Sequence, residues 1–254
     1  MHCPDFDRKG VPLKISPRQF LRSLLAASPP RIQARVSAWR SRGQAKLGAH
    51  TYLHHSVQVL GLQQLSVGDN TVISQDTWLN VNHREVPGAG IEIGANCFIG
   101  RRNFFSSGAG IQIGPFVLTA NDCHFLGSSH IINDPLRACI TTGTTCNDRI
   151  YVGANTFFGS GARVLGTVSI GHGCVVGAGS LVTRNMPPFS QLYGSPARVH
   201  QRYSFPRSAW VPIEEFSPAD ENAILLEGDL ICRLNAAKRP VMPYLAAGND
   251  MGNC

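Results

Sequence analysis

The amino-acid sequence predicts an all-β solenoid, a left-handed parallel β-helix of hexapeptide repeats with helical additions at the N- and C-terminal ends. Three observations support this prediction: apolar side chains recur every six residues, glycine often follows them, and a small or β-branched residue stands four positions later. A helix repeats every 3.6 residues and a strand every two, whereas a period of six fits a short strand plus a corner. Three such sides close one triangular coil, and stacked coils form a solenoid.

The repeat is most regular in residues 150–183. Its apolar positions are Val152, Phe158, Val164, Ile170, Val176 and Val182, and its small or β-branched positions are Thr156, Ala162, Val168, Cys174 and Ser180. Earlier copies carry Leu53, Val59, Val67, Ile73, Leu79, Ile93, Ile99, Phe105 and Ile113 at the apolar position. We expect the apolar side chains to fill a narrow interior, where only a small second residue fits. Glycine at the next position allows neighbouring backbones to approach closely.

Composition and charge narrow the functional classes. The 254 residues suffice for one sizeable domain with terminal additions. The net charge of +7 is concentrated in residues 1–46, which carry ten Lys or Arg against Asp5 and Asp7. The rest of the chain is close to neutral, so its charge does not favour nucleic-acid binding. No segment approaches the roughly 20 apolar residues of a membrane span, and no apolar signal core follows Met1. We therefore expect a cytoplasmic protein.

The eight cysteines are expected to be reduced thiols. They stand at positions 3, 97, 123, 139, 146, 174, 232 and 254, and none forms a Cys-x-x-Cys pair. A cytoplasmic location also disfavours disulfides. We interpret all eight as small buried apolar residues.

Three segments are predicted: residues 1–46, 47–203 and 204–254. The basic first segment contains a helix start at Ser16-Pro17 and either caps the first coil or docks on an anionic membrane surface. The middle segment is the β-helix. In the last segment, residues 217–220 have capping-box form. They precede apolar positions that predict one helix, namely Ile224, Leu225, Leu226, Leu230, Ile231 and Leu234.

Two excursions interrupt the repeat, at residues 80–90 and 127–149. A long loop in a regular solenoid is commonly functional. The second excursion contains His130 within the string Ser129-His-Ile-Ile-Asn-Asp-Pro135. His130 is accordingly a candidate catalytic residue, and its alternative role is to anchor the loop.

These motifs together resemble the hexapeptide-repeat acyltransferases over about residues 50–203. The string at 129–135 is similar to the Ser-His-x-x-x-Asp-Pro pattern of O-acetyltransferases from bacterial surface-polysaccharide clusters. Residues 182–188, followed by Gly-Ser-Pro-Ala-Arg-Val at 194–199, are a second close match. The family also includes the maltose and galactoside acetyltransferases and the xenobiotic acetyltransferases. The resemblance implies transfer of an acetyl group from acetyl-CoA to a hydroxyl of a sugar or glycan precursor. It also implies a homotrimer whose active sites lie between subunits.

The resemblance also implies roles for individual residues. It assigns the general base to His130 and the acceptor side to Asn103. It assigns the coenzyme side to Ser160 and Ala178 along the pantetheine, to Thr183, Arg184 and Arg198 at the adenosine end, and to Phe157, which stands where many members have Trp.

The remaining polar candidates carry alternatives of their own. His124 either binds the acceptor or supports the site from behind, and His83 either lines the acceptor pocket or holds its loop. Asp134 is placed on the acceptor side, and either Asp134 or a backbone carbonyl is the expected partner of the second ring nitrogen of His130. His172 is interpreted as a solvated side chain at an outward corner.

The chemistry needs no metal, because a thioester is already activated and neutral imidazole is a suitable base near neutral pH. Two rival interpretations remain. A zinc enzyme similar to the γ-type carbonic anhydrases would use His83, His124 and His130, but it has no role for Thr183, Arg184 and Arg198. A non-catalytic scaffold has no need of the His130 loop.

Overall fold

The structure is a computed structural model that describes residues 45–237 and residue 242. The predicted basic segment 1–46 lies outside the described residues except for its last two positions, and most of the chain after residue 237 also lies outside them. Within the described part, no helix is long and apolar enough to cross a membrane.

The chain passes through three sheets in turn, so that every third strand belongs to the same sheet. Sheet 1 contains β1 (Lys46–Leu47), β4 (Leu65–Val67), β7 (Ile91–Ile93), β10 (Gly110–Ile113), β13 (Arg149–Val152) and β16 (Val168–Ile170). Sheet 2 begins with β2 (Tyr52–Leu53), β5 (Val72–Ile73), β8 (Phe98–Ile99), β11 (Leu118–Thr119), β14 (Phe157–Phe158) and β17 (Val175–Val176). Sheet 3 contains β3 (Gln58–Leu60), β6 (Trp78–Val81), β9 (Phe104–Ser107), β12 (His124–Leu126), β15 (Arg163–Leu165) and β18 (Leu181–Val182). These parallel strands fit the predicted β-helix.

The strand register shows how the excursion at 127–149 is accommodated. Ile150 pairs with Val168, which is 18 residues or three hexapeptides further on. Gly110 pairs with Arg149, 39 residues further on, because the excursion is inserted between β12 and β13. The ladder continues in parallel on both sides, so the loop projects from an undisturbed coil.

The interior confirms the six-residue period. The six apolar positions of residues 150–183 are completely buried, and the five small or β-branched positions are buried beside them. The ring of Phe125 stacks on Phe105 with centroids 4.6 Å apart and meets Phe158 edge-on at 5.1 Å. Stacked coils thus share one continuous apolar core.

The end of the β-helix is extended by an antiparallel hairpin. Strand β19 (Ser190–Gly194) pairs in parallel with β17, and β20 (Ala197–Ser204) and β21 (Ala209–Pro212) follow antiparallel in sheet 2. The predicted boundary at residue 203 therefore falls one residue before the end of β20. The predicted C-terminal segment 204–254 contains β21 before its first helix.

The predicted single helix after residue 217 is wrong, because two helices form. Helix α1 covers Pro218–Asn222 and has the predicted capping box, with Asp220 at its third position. Helix α2 covers Glu227–Ala236. The segment between them is held by the coil, since the His172 ring hydrogen-bonds the Leu225 carbonyl over 2.8 Å. Three single 3-10 turns, at Leu62–Gln64, Cys139–Thr141 and Ile213–Glu215, complete the described elements.

Two expectations about exposure are corrected. His172 is buried rather than solvated, because the C-terminal extension covers its corner and Phe189 packs edge-on against its ring. Cys97, Cys123 and Cys174 are buried as expected, but Cys139, Cys146 and Cys232 are exposed because two lie in the long loop and one on α2. Cys3 and Cys254 lie outside the described residues.

Candidate functional site

His130 stands on a hydrogen-bonded stem that connects the long loop to the coil. We call residues 128–131 and 143–145 the loop stem. The Thr145 N–H donates to the Ser129 carbonyl over 2.7 Å, and the Ile131 N–H donates to the Gly143 carbonyl over 3.2 Å. His130 forms an antiparallel bridge with Thr144 between these two bonds. Its side chain is exposed, so the stem fixes the backbone while the imidazole remains open to a substrate.

The loop tip beyond the stem is closed by Asp134. Its Oδ1 accepts a hydrogen bond from the Leu136 N–H over 3.0 Å, and its carbonyl accepts one from the Arg137 N–H. This carboxylate therefore shapes the turn of its own loop. Leu136 and Ile140 are 94% and 85% exposed, so the tip presents apolar side chains to its surroundings.

His83, from the shorter excursion, lies against the loop stem. Its Nε2 is 3.0 Å from the Thr145 carbonyl oxygen and 3.3 Å from Thr144 Oγ1. Of the two roles predicted for His83, the loop-holding role matches these contacts.

Asn103 is not on an acceptor surface, which corrects its assignment. It is 1% exposed. Its Oδ1 accepts from the Cys123 N–H over 2.6 Å, and its Nδ2 donates to Thr119 Oγ1. Asn103 occupies the small interior position four residues after Ile99. The six-residue repeat alone could therefore have predicted that its side chain is buried.

His124 projects from β12 on the outer side of sheet 3. Its ring meets Phe104 edge-on at 6.2 Å, and Arg163 is its neighbour on β15. Burial lowers the pKa of His124, and the Arg163 cation lowers it further. Both effects favour the neutral form of the imidazole, while the Asp122 carboxylate opposes them.

Ser160 and Ala178 lie at the same corner of consecutive coils, where sheet 2 leads into sheet 3. The Gly179 N–H donates to the Ser160 carbonyl over 2.9 Å, and both Ser160 and Ala178 are exposed. A Cβ on Gly159 would come within 2.6 Å of the Ala178 nitrogen, so this close corner requires glycine. Phe157 precedes the corner on β14, beside Leu118, with its ring partly exposed.

Thr183, Arg184 and Arg198 are exposed at the C-terminal end of the coil. Thr183 and Arg184 directly follow β18, and Arg198 is paired with Tyr193 across β19 and β20. The Tyr193 ring stacks parallel on His200, with centroids 3.6 Å apart. Sequence analysis missed this stacked aromatic pair. The two rings meet only because β19 and β20 form a hairpin, and the sequence did not predict that hairpin.

One chain does not bring all these residues together. The candidates divide between two corners of the triangle: His83, His130, Thr183 and Arg184 where sheet 3 leads into sheet 1, and Ser160 and Ala178 where sheet 2 leads into sheet 3. Within residues 45–237 and 242, no three His, Cys, Asp or Glu side chains group as a metal ion would require.

Comparison with known proteins identifies the repeat. Residues 149–184 match the bacterial transferase hexapeptide family of six repeats. A Staphylococcus aureus (strain COL) protein named as an acetyltransferase is 36% identical over 112 residues, which are 44% of this chain and 55% of that protein. A Mycobacterium tuberculosis protein, also named as an acetyltransferase, is 26% identical over 162 residues, or 63% of this chain and 50% of that one. The chain thus spans about half the length of the curated relatives it matches.

Solved structures share the fold at low sequence identity. AntD, an N-acyltransferase from Bacillus cereus in complex with dTDP and 3-hydroxybutyryl-CoA, superimposes with a TM-score of 0.56 at 14% identity, covering 79% of this chain and 96% of that one. This likeness supports the architecture of the β-helix. The family match over residues 149–184 and the curated relatives, independently of this likeness, confirm that the chain carries the bacterial transferase hexapeptide repeat and resembles the hexapeptide-repeat acyltransferases.

Proposed function

We propose that this protein is an acetyl-CoA-dependent acyltransferase that transfers an acetyl group to a hydroxyl of a sugar or glycan precursor, with His130 as general base. The observation that carries the proposal is the loop stem, which holds an exposed imidazole at a fixed backbone position. The relatives named as acetyltransferases support the reaction class. Support for a sugar acceptor comes from the resemblance at residues 129–135.

The proposed chemistry uses the acyl group already activated as a thioester. His130 removes the proton of the acceptor hydroxyl while that oxygen attacks the thioester carbonyl carbon. The new C–O bond forms, the C–S bond breaks, and the coenzyme leaves as a thiolate that takes up the proton held by His130, which regenerates the neutral base. The Ser160 hydroxyl or a backbone N–H would stabilise the developing oxyanion.

The described residues fit a coenzyme A substrate. Ser160 and Ala178 provide an exposed corner of small residues. Arg184 and Arg198 provide exposed cations for phosphate groups, to which guanidinium can bind in a bidentate manner. Phe157 supplies an apolar wall beside the corner.

A site built from two corners requires a second subunit. A neighbouring copy would bring its Ser160–Ala178 corner against the His130 corner of the first subunit. We therefore infer that the left-handed β-helix assembles as a homotrimer with its active sites between subunits. Sheets 2 and 3 expose apolar side chains for this packing, including Trp78, Leu118 and Leu165. The outer strand positions of sheet 1 carry polar residues such as Ser66, Glu92 and Gln112.

Replacing His130 tests the proposed base. We expect His130→Ala to lower kcat by about 10²–10⁴ while acetyl-CoA affinity stays unchanged, because the base acts only on the acceptor proton. Thiol release with nucleotide sugars and glycans as acceptors gives kcat, and calorimetry gives the affinity. His50→Ala is the matched control, since His50 is exposed in the first coil, away from the loop. Near-normal turnover in the His130 variant would remove His130 from the mechanism.

Sedimentation velocity tests the assembly. We expect a trimer for the unmodified protein and a monomer for Leu118→Arg, because an unpaired buried cation at a subunit contact is costly. The monomeric variant should also lose turnover, since its two corners no longer meet. An active monomer would contradict the two-corner site.

A further inference from the structure

The contact between His83 and the loop stem joins two segments 62 positions apart in the sequence. Thr145 is the point at which they meet. Its carbonyl oxygen lies 3.0 Å from His83 Nε2 and also accepts a hydrogen bond from the Ser128 hydroxyl over 2.8 Å. Its own hydroxyl oxygen accepts from the Ser129 N–H over 3.0 Å. Both strands of the stem and the shorter excursion therefore converge on one residue.

The chemistry of this contact fixes the direction of the hydrogen bond. A carbonyl oxygen only accepts, so His83 Nε2 carries the proton and donates. Thr144 Oγ1, at 3.3 Å, is a second acceptor within reach of the same N–H. The His83 side chain is 18% exposed, and a hydrogen bond partly shielded from water holds its partners more firmly than an exposed one.

The contact acts on the residues paired with the candidate base. Thr144 is the bridge partner of His130, and the Thr145 N–H bonds the residue before His130. A shift of these two threonines would therefore move the backbone that carries the imidazole. Because Nε2 is used in this contact, only Nδ1 of the His83 ring remains for other partners, and Glu85 Oε1 lies 3.9 Å from it.

We propose that His83 is a positioning residue for His130, acting through the Thr144–Thr145 side of the loop stem, and that it does not bind the acceptor. This inference rests on the proposed function, in which His130 is the base. A displacement of about 1 Å at a catalytic group can cost about 10²-fold in rate. Loss of the His83 donor therefore lowers kcat and leaves the binding of both substrates nearly unchanged.

The experiment compares His83→Asn with His83→Gln. The glutamine Nε2 is separated from Cα by as many bonds as the histidine Nε2, so glutamine can donate to the Thr145 carbonyl, whereas the shorter asparagine falls short. Glu85→Gln is the matched control, because it changes the Nδ1 side of the ring and leaves the Nε2 donor intact. The readouts are kcat, acceptor KM, and amide hydrogen exchange in peptides that contain the Ile131 and Thr145 N–H groups.

We expect His83→Asn to speed exchange of these stem amides and to lower kcat by about 10–100-fold, with acceptor KM unchanged. His83→Gln and Glu85→Gln should behave like the unmodified protein in all three readouts. A raised acceptor KM with unchanged kcat in His83→Asn would show an acceptor contact and overturn the proposal, as would unchanged exchange. The unmodified protein could also lack acyl transfer while His83→Asn still speeds exchange of the stem amides. That result would refute the proposed function and the catalytic role of the contact, but the anchoring of the loop stem by His83 would stand.

Discussion

At the scale of single residues, the interior of the coil controls the chemistry of its cysteines. Cys97, Cys123 and Cys174 occupy small interior positions, and their Sγ atoms lie 3.2–3.3 Å from backbone carbonyl oxygens. Burial raises the pKa of the Cys97 thiol to about 12 and that of Cys123 and Cys174 to about 11. The reactive thiolate is therefore disfavoured in all three.

Thiol labelling checks this difference between interior and surface cysteines. We expect a maleimide to modify Cys139, Cys146 and Cys232 in the native protein, because these three side chains are exposed. The three interior cysteines should react only after unfolding. Peptide mass spectrometry of native and denatured samples measures each site separately, and rapid native labelling of Cys174 would contradict the packed interior.

At the scale of structural elements, corner glycines allow one coil to rest on the next. A Cβ on Gly171 would lie 2.4 Å from the Pro188 nitrogen and 2.6 Å from its Cα. These are backbone atoms of the next corner, so they cannot move aside as the end of a flexible side chain could. By contrast, a Cβ on Gly228 in α2 would meet nothing within 4 Å.

Alanine substitution at these two glycines separates corner packing from general glycine effects. Gly171→Ala should lower the free energy of unfolding by about 1–3 kcal/mol, because the added methyl group overpacks the corner. Gly228→Ala should leave stability unchanged or raise it by up to about 1 kcal/mol, since alanine favours a helix. Urea unfolding followed by circular dichroism gives both values. Equal effects in the two variants would mean that the corner accommodates a Cβ.

At the scale of the whole molecule, the C-terminal extension is fastened to the coil by polar contacts. Asp220 accepts hydrogen bonds from Ser204 Oγ and Ser217 N and forms an ion pair with Arg207 over 2.8 Å. Arg202 pairs with Glu221 and lies 4.2 Å above the Phe216 ring. Further along, the Glu227 carboxylate accepts from the Tyr151 hydroxyl over 2.7 Å and from the Ala154 N–H over 2.6 Å.

The Asp220 contacts predict how this attachment depends on pH. Hydrogen bonds from Ser204 and Ser217, followed by Arg207, hold the pKa of the Asp220 carboxyl well below its usual range. The stability gained from this lowered pKa is fully present above the unfolded value of about 3.9 and is lost as the pH falls through the lower folded value. Asp220→Asn should therefore lower Tm at neutral pH, and its Tm should approach that of the unmodified protein as the medium becomes strongly acidic. Scanning calorimetry along a pH series measures both proteins, and a constant difference across the series would contradict the assignment.

The sequence by itself determined the coil, its core and several local features. The six-residue period specified that Phe158 and Val164 point inward, because each repeat packs only on its neighbours and the same local pattern therefore recurs. The same period would have placed Asn103 inside, although the family resemblance had suggested the acceptor side. The capping box at Ser217 was also readable, since all its atoms lie within four residues.

Tertiary structure decided the features that depend on distant segments. His172 is buried because a segment about 50 residues later crosses its corner, and the same contact separates α1 from α2. His83 meets Thr145 because two excursions leave the coil at the same corner, two coils apart. The candidate residues also divide between two corners, which no spacing along the chain reveals. In each case the cause is physical: a periodic pattern encodes contacts between neighbouring coils, whereas excursions and extensions meet only along the three-dimensional path of the folded chain.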